Sequence, residues 1–114
     1  MISSLFIAAC VITGDSKIRA WNDGCVQLWG YQANEVLNQE VDILMPLGEL
    51  RGRHTMFVKN FAEGKKKMSE SMVVGRGRKV TGRHKNGSYL SVMLFVTERR
   101  DESVVLYTGI FHSL

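Results

Sequence analysis

Two thiols, three imidazoles and a run of cations are the side chains here whose types could do chemistry. His54 has the most specific setting. Leu50, His54, Phe57 and Phe61 recur at i, i+4, i+7 and i+11, so they share one face of a helix over about residues 49–62. An imidazole on such an apolar stripe is more often a half-buried histidine satisfied by its neighbours than a ligand. His84 stands in a basic hairpin and His112 at the end of the last strand, where solvated or interface roles are expected, and no two histidines are spaced to chelate. Cys10 and Cys25 are too far apart along the chain for a chelating pair, and no second pair exists. They read as small buried hydrophobes.

Catalytic signatures fail on residue type. Gly75-Arg-Gly77 has no third Gly in register and no helix after it, so it is not a phosphate loop. No Cys lies beside a His, and no Ser occupies a nucleophile elbow. Asp42, Glu49, Glu63 and Glu70 fall at polar or capping positions, where solvated carboxylates are the ordinary expectation. The chain reads as a non-enzyme with no catalytic residue. Arg76, Arg78, Lys79, Arg83 and Lys85 alternate along a strand pair, with no recognition helix and no exposed aromatic ladder, which argues against nucleic acid. Solvent or an acidic protein partner suits them better, and Glu98, Asp101 and Glu102 supply counter-charges.

These residues need a core to hold them, and the composition provides one. The chain has 114 residues, 45% of them apolar, a net charge of +4, one Pro and two Cys. That is one globular domain, neither disordered nor stapled by disulfides. Charge is uneven: residues 1–50 carry 2 basic and 6 acidic side chains (net −4), and residues 51–114 carry 13 and 5 (net +8). The apolar N-terminal run from Leu5 to Ile12 has no preceding Lys or Arg and ends at Gly14-Asp15, so it reads as a buried strand rather than a signal or a membrane span. The expected setting is cytoplasmic, with no membrane contact.

Strands are predicted over about 5–12 and 17–21, joined by the turn Gly14-Asp15-Ser16. Helices follow at about 23–29, capped by Asn22 or Asp23 and stopped by Gly30; at 34–37, capped by Asn34; at 42–45, ended by Pro46; and at 49–62. Strands return at about 72–85 and 88–99, joined by Asn86-Gly87, the strongest short hairpin signal, and at 104–112. Along the fourth strand Leu90, Val92, Leu94 and Val96 point one way, and Tyr89, Ser91, Met93 and Phe95 the other. One face meets the core, and the other offers Tyr89, Met93 and Phe95 as an interface. Five antiparallel strands with the helices inserted after the second make an α+β architecture, with the helices on one face of the sheet.

Trp21-Asn22-Asp23, Leu28-Trp29-Gly30-Tyr31, Asn34-Glu35-Val36-Leu37 and Leu44-Met45-Pro46, followed by Gly82-Arg-His-Lys-Asn-Gly-Ser88 and Tyr107-Thr-Gly-Ile-Phe111, resemble a PAS domain over essentially the whole chain. The resemblance implies a sensory or regulatory module that mediates protein–protein interaction, as a homodimer or through an attached effector domain. It also implies a ligand pocket between the sheet and the long helix, at Phe57, Val58, Phe61, Val73, Leu94 and Val96. Within the family the motifs are most similar to the oxygen-sensing haem PAS domains of sensor kinases. That similarity implies His54 as proximal iron ligand, Arg78 as a hydrogen-bond donor to a distal ligand, and Leu94 and Val96 packed over the distal face. Two features depart from the haem pattern. A short insertion in the Glu63–Ser71 region precedes the strand carrying Arg78, and Phe57, Phe61, Met72, Met93 and Phe95 are large enough to fill the space themselves. No cofactor is therefore the first expectation and haem the alternative. Val41-Asp-Ile-Leu-Met45 lacks the reactive Cys of the flavin photoreceptors, which argues against a flavin photocycle.

Overall fold

The computed structural model describes residues 7–47, 58, 62–63 and 77–114. Five strands form one antiparallel sheet: β1 (Ala8–Thr13), β2 (Ile18–Trp21), β3 (Gly77–Arg83), β4 (Tyr89–Arg100) and β5 (Val105–Ser113), in the spatial order β2-β1-β5-β4-β3. Between β2 and β3 come helix α1 (Asp23–Trp29), helix α2 (Ala33–Val36) and a 3-10 turn (Val41–Leu44). The class is α+β, as expected. The N-terminal strand starts at Ala8 among the described residues, and Lys17 makes an isolated bridge to Glu40 instead of opening β2. The expected start of the third strand, residues 72–76, lies outside the described residues. Its end comes at Arg83, because His84 and Lys85 belong to the turn. Of the expected helix at 49–62, Val58 and Ala62 are described, and both are helical.

Local chemistry sets the helix ends. Asn22 is the cap of α1: its Oδ1 accepts from the Cys25 N–H at 3.0 Å and from the Ala9 N–H at 2.9 Å, while its Nδ2 donates to the Ile7 carbonyl at 2.6 Å. One side chain thus begins the helix and fastens it to β1. Gly30 ends α1 with φ 83, the left-handed conformation that glycine adopts without steric cost. For α2 the cap is Gln32, not Asn34. Gln32 and Glu35 form a capping box, in which the Gln32 N–H donates to Glu35 Oε1 at 2.7 Å.

The outer edge of β2 is covered rather than left open to pairing. The Ile18 N–H donates to the Gln39 carbonyl at 2.9 Å, the Asn38 N–H to the Ile18 carbonyl at 2.8 Å, and the Val41 N–H to the Ser16 carbonyl at 2.9 Å. At the other end of the sheet, the β3–β4 turn docks on α1, where the Lys85 N–H donates to the Trp29 carbonyl at 3.0 Å. The core lies on one face of the sheet, where Cys10, Trp21, Val92 and Phe111 meet Cys25 and Trp29 of α1, Val36 of α2 and Leu44 of the 3-10 turn. Beside it Val58 and Tyr107 form a second buried cluster with Ile12, Ala62, Val96 and Val105 against it. Arg100 ties that end together, donating from Nη1 to the Ala62 carbonyl at 2.8 Å.

Candidate functional site

Strand register decides which side chains share the core face. Ala8, Phe111, Leu94 and Arg78 form one row across β1, β5, β4 and β3, and Cys10, Gly109 and Val96 form the next. Between this face and the helices lies a cavity of about 210 Å3. Its described wall draws Cys10 from β1, Trp29 from α1, Leu44 from the 3-10 turn, Gly82 from β3, Leu94 and Val96 from β4, and Tyr107 from β5, and it contains no charged side chain. Burial, with the Glu98 carboxylate nearby, pushes the Tyr107 phenol above its usual range. The phenol is neutral at physiological pH.

Gly82 permits the closest approach in the wall. A Cβ there would stand 2.2 Å from Cη2 and 2.5 Å from Cζ3 of Trp29, so the indole rests directly on the strand backbone. The same indole meets Phe111 edge to face, with ring centroids 5.2 Å apart. Cys10 and Cys25, remote in sequence, are neighbours in the core: the hydrogen bond between the two thiols, and then burial, push the Cys25 thiol well above the ordinary range. Both are buried and suited to packing, and the Cys25 thiol is protonated and a poor nucleophile. Asp42 corrects an expectation, because its carboxylate is buried in the 3-10 turn and not solvated. Among the described residues no group of three His, Cys, Asp or Glu gathers to hold a metal ion.

The expected site residues distribute as follows. Leu94 and Val96 stand in the cavity wall, and Val58 is buried in the adjacent cluster against Val96. Arg78 has the register of the cavity-facing row but is exposed and outside the described wall. His54, Phe57, Phe61 and Val73 lie outside the described residues. Tyr89, Met93 and Phe95 occupy the opposite face of β4. Phe95 is 40% exposed, covers Gly77 of β3 and meets the His112 ring edge to face at 5.7 Å. Trp29, Cys10, Gly82, Gly109 and Phe111 also line the cavity, although they were absent from the expected pocket. The alternation of Tyr107, Gly109 and Phe111 along β5 was the available signal for part of that set.

No protein-family model matches the chain. The solved PAS domain of a Desulfitobacterium hafniense protein superposes on it with a TM-score of 0.72, covering 100% of this chain and 98% of that one at 11% identity. This chain has the PAS fold. Curated relatives that match it in sequence include the sensor protein FixL of Bradyrhizobium diazoefficiens, 28% identical over 107 residues, and the oxygen sensor protein DosP of Escherichia coli, 26% identical over 104 residues. The matches cover 94% and 91% of this chain but 20% and 12% of the relatives, so the PAS-fold domain corresponds to a small part of each. Among its described residues no helix is long and apolar enough to cross a membrane.

Proposed function

We propose that this PAS-fold domain is a sensory or regulatory module without catalytic activity. A small molecule held between sheet and helices would alter how the outer sheet face meets a partner, either a second copy of the chain or an attached effector domain. The observation that carries this reading is that β4 and β5 build both surfaces. Leu94, Val96 and Phe111 line the cavity, while Met93, Phe95 and Ile110 occupy the reverse face of the same two strands. A change in packing on one face is therefore felt on the other without an intervening element. That FixL and DosP are sensor proteins supports the reading. Sedimentation velocity tests it on the wild type and on Phe95→Ala, with circular dichroism to verify folding. Self-association weakened at least about tenfold by the truncation is the expected result, as for an aromatic anchor in an interface. A folded variant that associates as tightly as wild type would remove the outer face from the proposal.

A second reading, a haem-based sensor with His54 as proximal ligand and Arg78 near a distal ligand, rests on the likeness to an oxygen sensor protein and on Leu94 and Val96 in the wall. The described cavity, about 210 Å3, is smaller than the roughly 300–1,000 Å3 of drug-sized ligand sites, which favours the first reading, and His54 lies outside the described residues. Titration with hemin decides the point: a stoichiometric Soret band lost in His54→Ala supports the haem reading. Its absence, or equal binding by the variant, ends it.

A further inference from the structure

Along β4 the outer face of the sheet changes sign from one end to the other. Residues paired in register share a face, so Lys79 and Arg83 of β3 stand beside Met93 and Tyr89 on the outer side, at the end where β4 begins. His112 of β5 joins them, also beside Met93. Just past the other end of β4, the exposed turn carries Asp101 and Glu102. Asp101 shapes that turn, because its Oδ1 accepts from the Ser103 and Val104 N–H groups at 3.1 and 2.9 Å. The Arg83 and Glu102 side chains make no hydrogen bond or ion pair among the described residues. Glu98 and Arg100 leave this pattern unchanged, since they pair with each other and Arg100 reaches Ala62 on the helix side. Between the charged ends the face is apolar: Phe95 is 40% exposed, and Met93 and Ile110 beside it are half-buried. Phe95 is also central, with Tyr89 six positions before it and Asp101 six after.

This spacing is self-complementary in one orientation. Sheets packed face to face keep their strands within about 30° of each other, so a two-fold axis between two outer faces runs either along the strands or across them. An axis along the strands sets like ends together, cations on cations and carboxylates on carboxylates. An axis across β4 at Phe95 reverses the strands, keeps the two Phe95 rings at the centre and brings the Arg83 end of each sheet to the Asp101–Glu102 turn of the other. Arg99, also on the outer side, then meets the uncharged row of Ser91 and Thr81. We propose that the outer face docks a second copy of this chain in the strand-reversed orientation, centred on Phe95, with Arg83 of each copy paired to Glu102 of the other. The inference rests on the interaction reading above. It selects the second copy as the occupant and adds the arrangement: the charged ends fix orientation and the apolar middle supplies the contact.

A charge swap tests the arrangement. Sedimentation velocity on the 114-residue chain compares wild type, Arg83→Glu, Glu102→Arg and the double variant, with circular dichroism to verify folding. Each single reversal sets like charges together at both ends of the dimer and is expected to weaken self-association about tenfold. The double variant restores opposite charges in exchanged places and is expected to return to within about threefold of wild type, a recovery that two independent structural defects would not give. If a reversal does not fold, Tyr89→Cys decides, at a position 57% exposed. The strand-reversed dimer holds the two introduced thiols a strand length apart, so diamide leaves them unlinked, whereas like ends together would bring them within disulfide reach. Singles as tight as wild type, a double variant no tighter than the singles, or a dimer cross-linked through Tyr89→Cys would each overturn the arrangement. The outer-face reading would then stand or fall on Phe95→Ala alone. A wild type that stays monomeric would overturn the second copy as occupant and leave an attached effector domain as the partner.

Discussion

Gly82 shows how one residue sets the dimensions of the cavity. Its φ is not in the left-handed region, so the requirement for glycine is steric: a methyl group would collide with the end of the Trp29 ring and come within 3.2 Å of the Leu44 carbonyl. Both neighbours are held, Trp29 by Phe111 and the Leu44 carbonyl by the 3-10 turn, so neither yields cheaply. Gly82→Ala should therefore destabilise the domain by about 1–3 kcal/mol, the usual cost of overpacking a filled core. Urea denaturation monitored by tryptophan fluorescence measures this, and an unchanged midpoint would mean that α1 moves away from β3 freely. At the same scale, the sequence reading anticipated that Cys10 and Cys25 are buried but not that they touch. Burial follows from residue type and local pattern, whereas the contact depends on where Asn22 fastens α1 to β1.

At the scale of elements, the β3–β4 turn is held to the helices by backbone and charge together. Lys85 donates its N–H to the Trp29 carbonyl and its Nζ to Glu35 Oε2 at 2.5 Å. The hydrogen bond from Lys85, and after it the Gln32 N–H, lower the Glu35 carboxyl below its ordinary value of 4.5. A carboxyl depressed in the folded state contributes stability that is fully present above its ordinary value and is lost as pH falls through the lower folded value. Asp15, lowered chiefly by the Thr13 hydroxyl, has the same sign. The Glu35–Lys85 pair is exposed, so its contribution at neutral pH is small. The expected outcome is a difference in shape. Across pH 3 to 7, the Tm of wild type should drop more steeply below about pH 4.5 than that of Glu35→Gln. Parallel curves would show that the pair does not link the turn to α2. The helix caps at this scale were partly legible in the sequence. Asn22 and Gly30 announced α1 by their own conformational chemistry, while Asn34 looked as good a cap as Gln32 until the reciprocal bond to Glu35 was seen.

Across the whole molecule, one sheet has two uses. β5 lies at its centre, between β1 and β4, and gives Phe111 to the cavity side and Ile110 to the other, so core packing and outer surface share a backbone. The sedimentation test with Phe95→Ala belongs to this scale, because its outcome depends on the sheet as a plate and not on a single contact. The α+β class, the strand–helix order and the two faces of β4 were determined by the sequence itself. Caps, turns and periods of two or 3.6 residues act over a few positions, and each stretch of chain carries that information alone. The tertiary structure alone decided that Trp29 rests on Gly82, that its N–H is left without a described acceptor, and that a cavity opens beside it whose described wall holds no charged side chain. The physical reason is that these features join residues from opposite halves of the chain. Their contacts exist only once sheet order and register have brought β3, β5 and α1 together, and local propensity does not encode them.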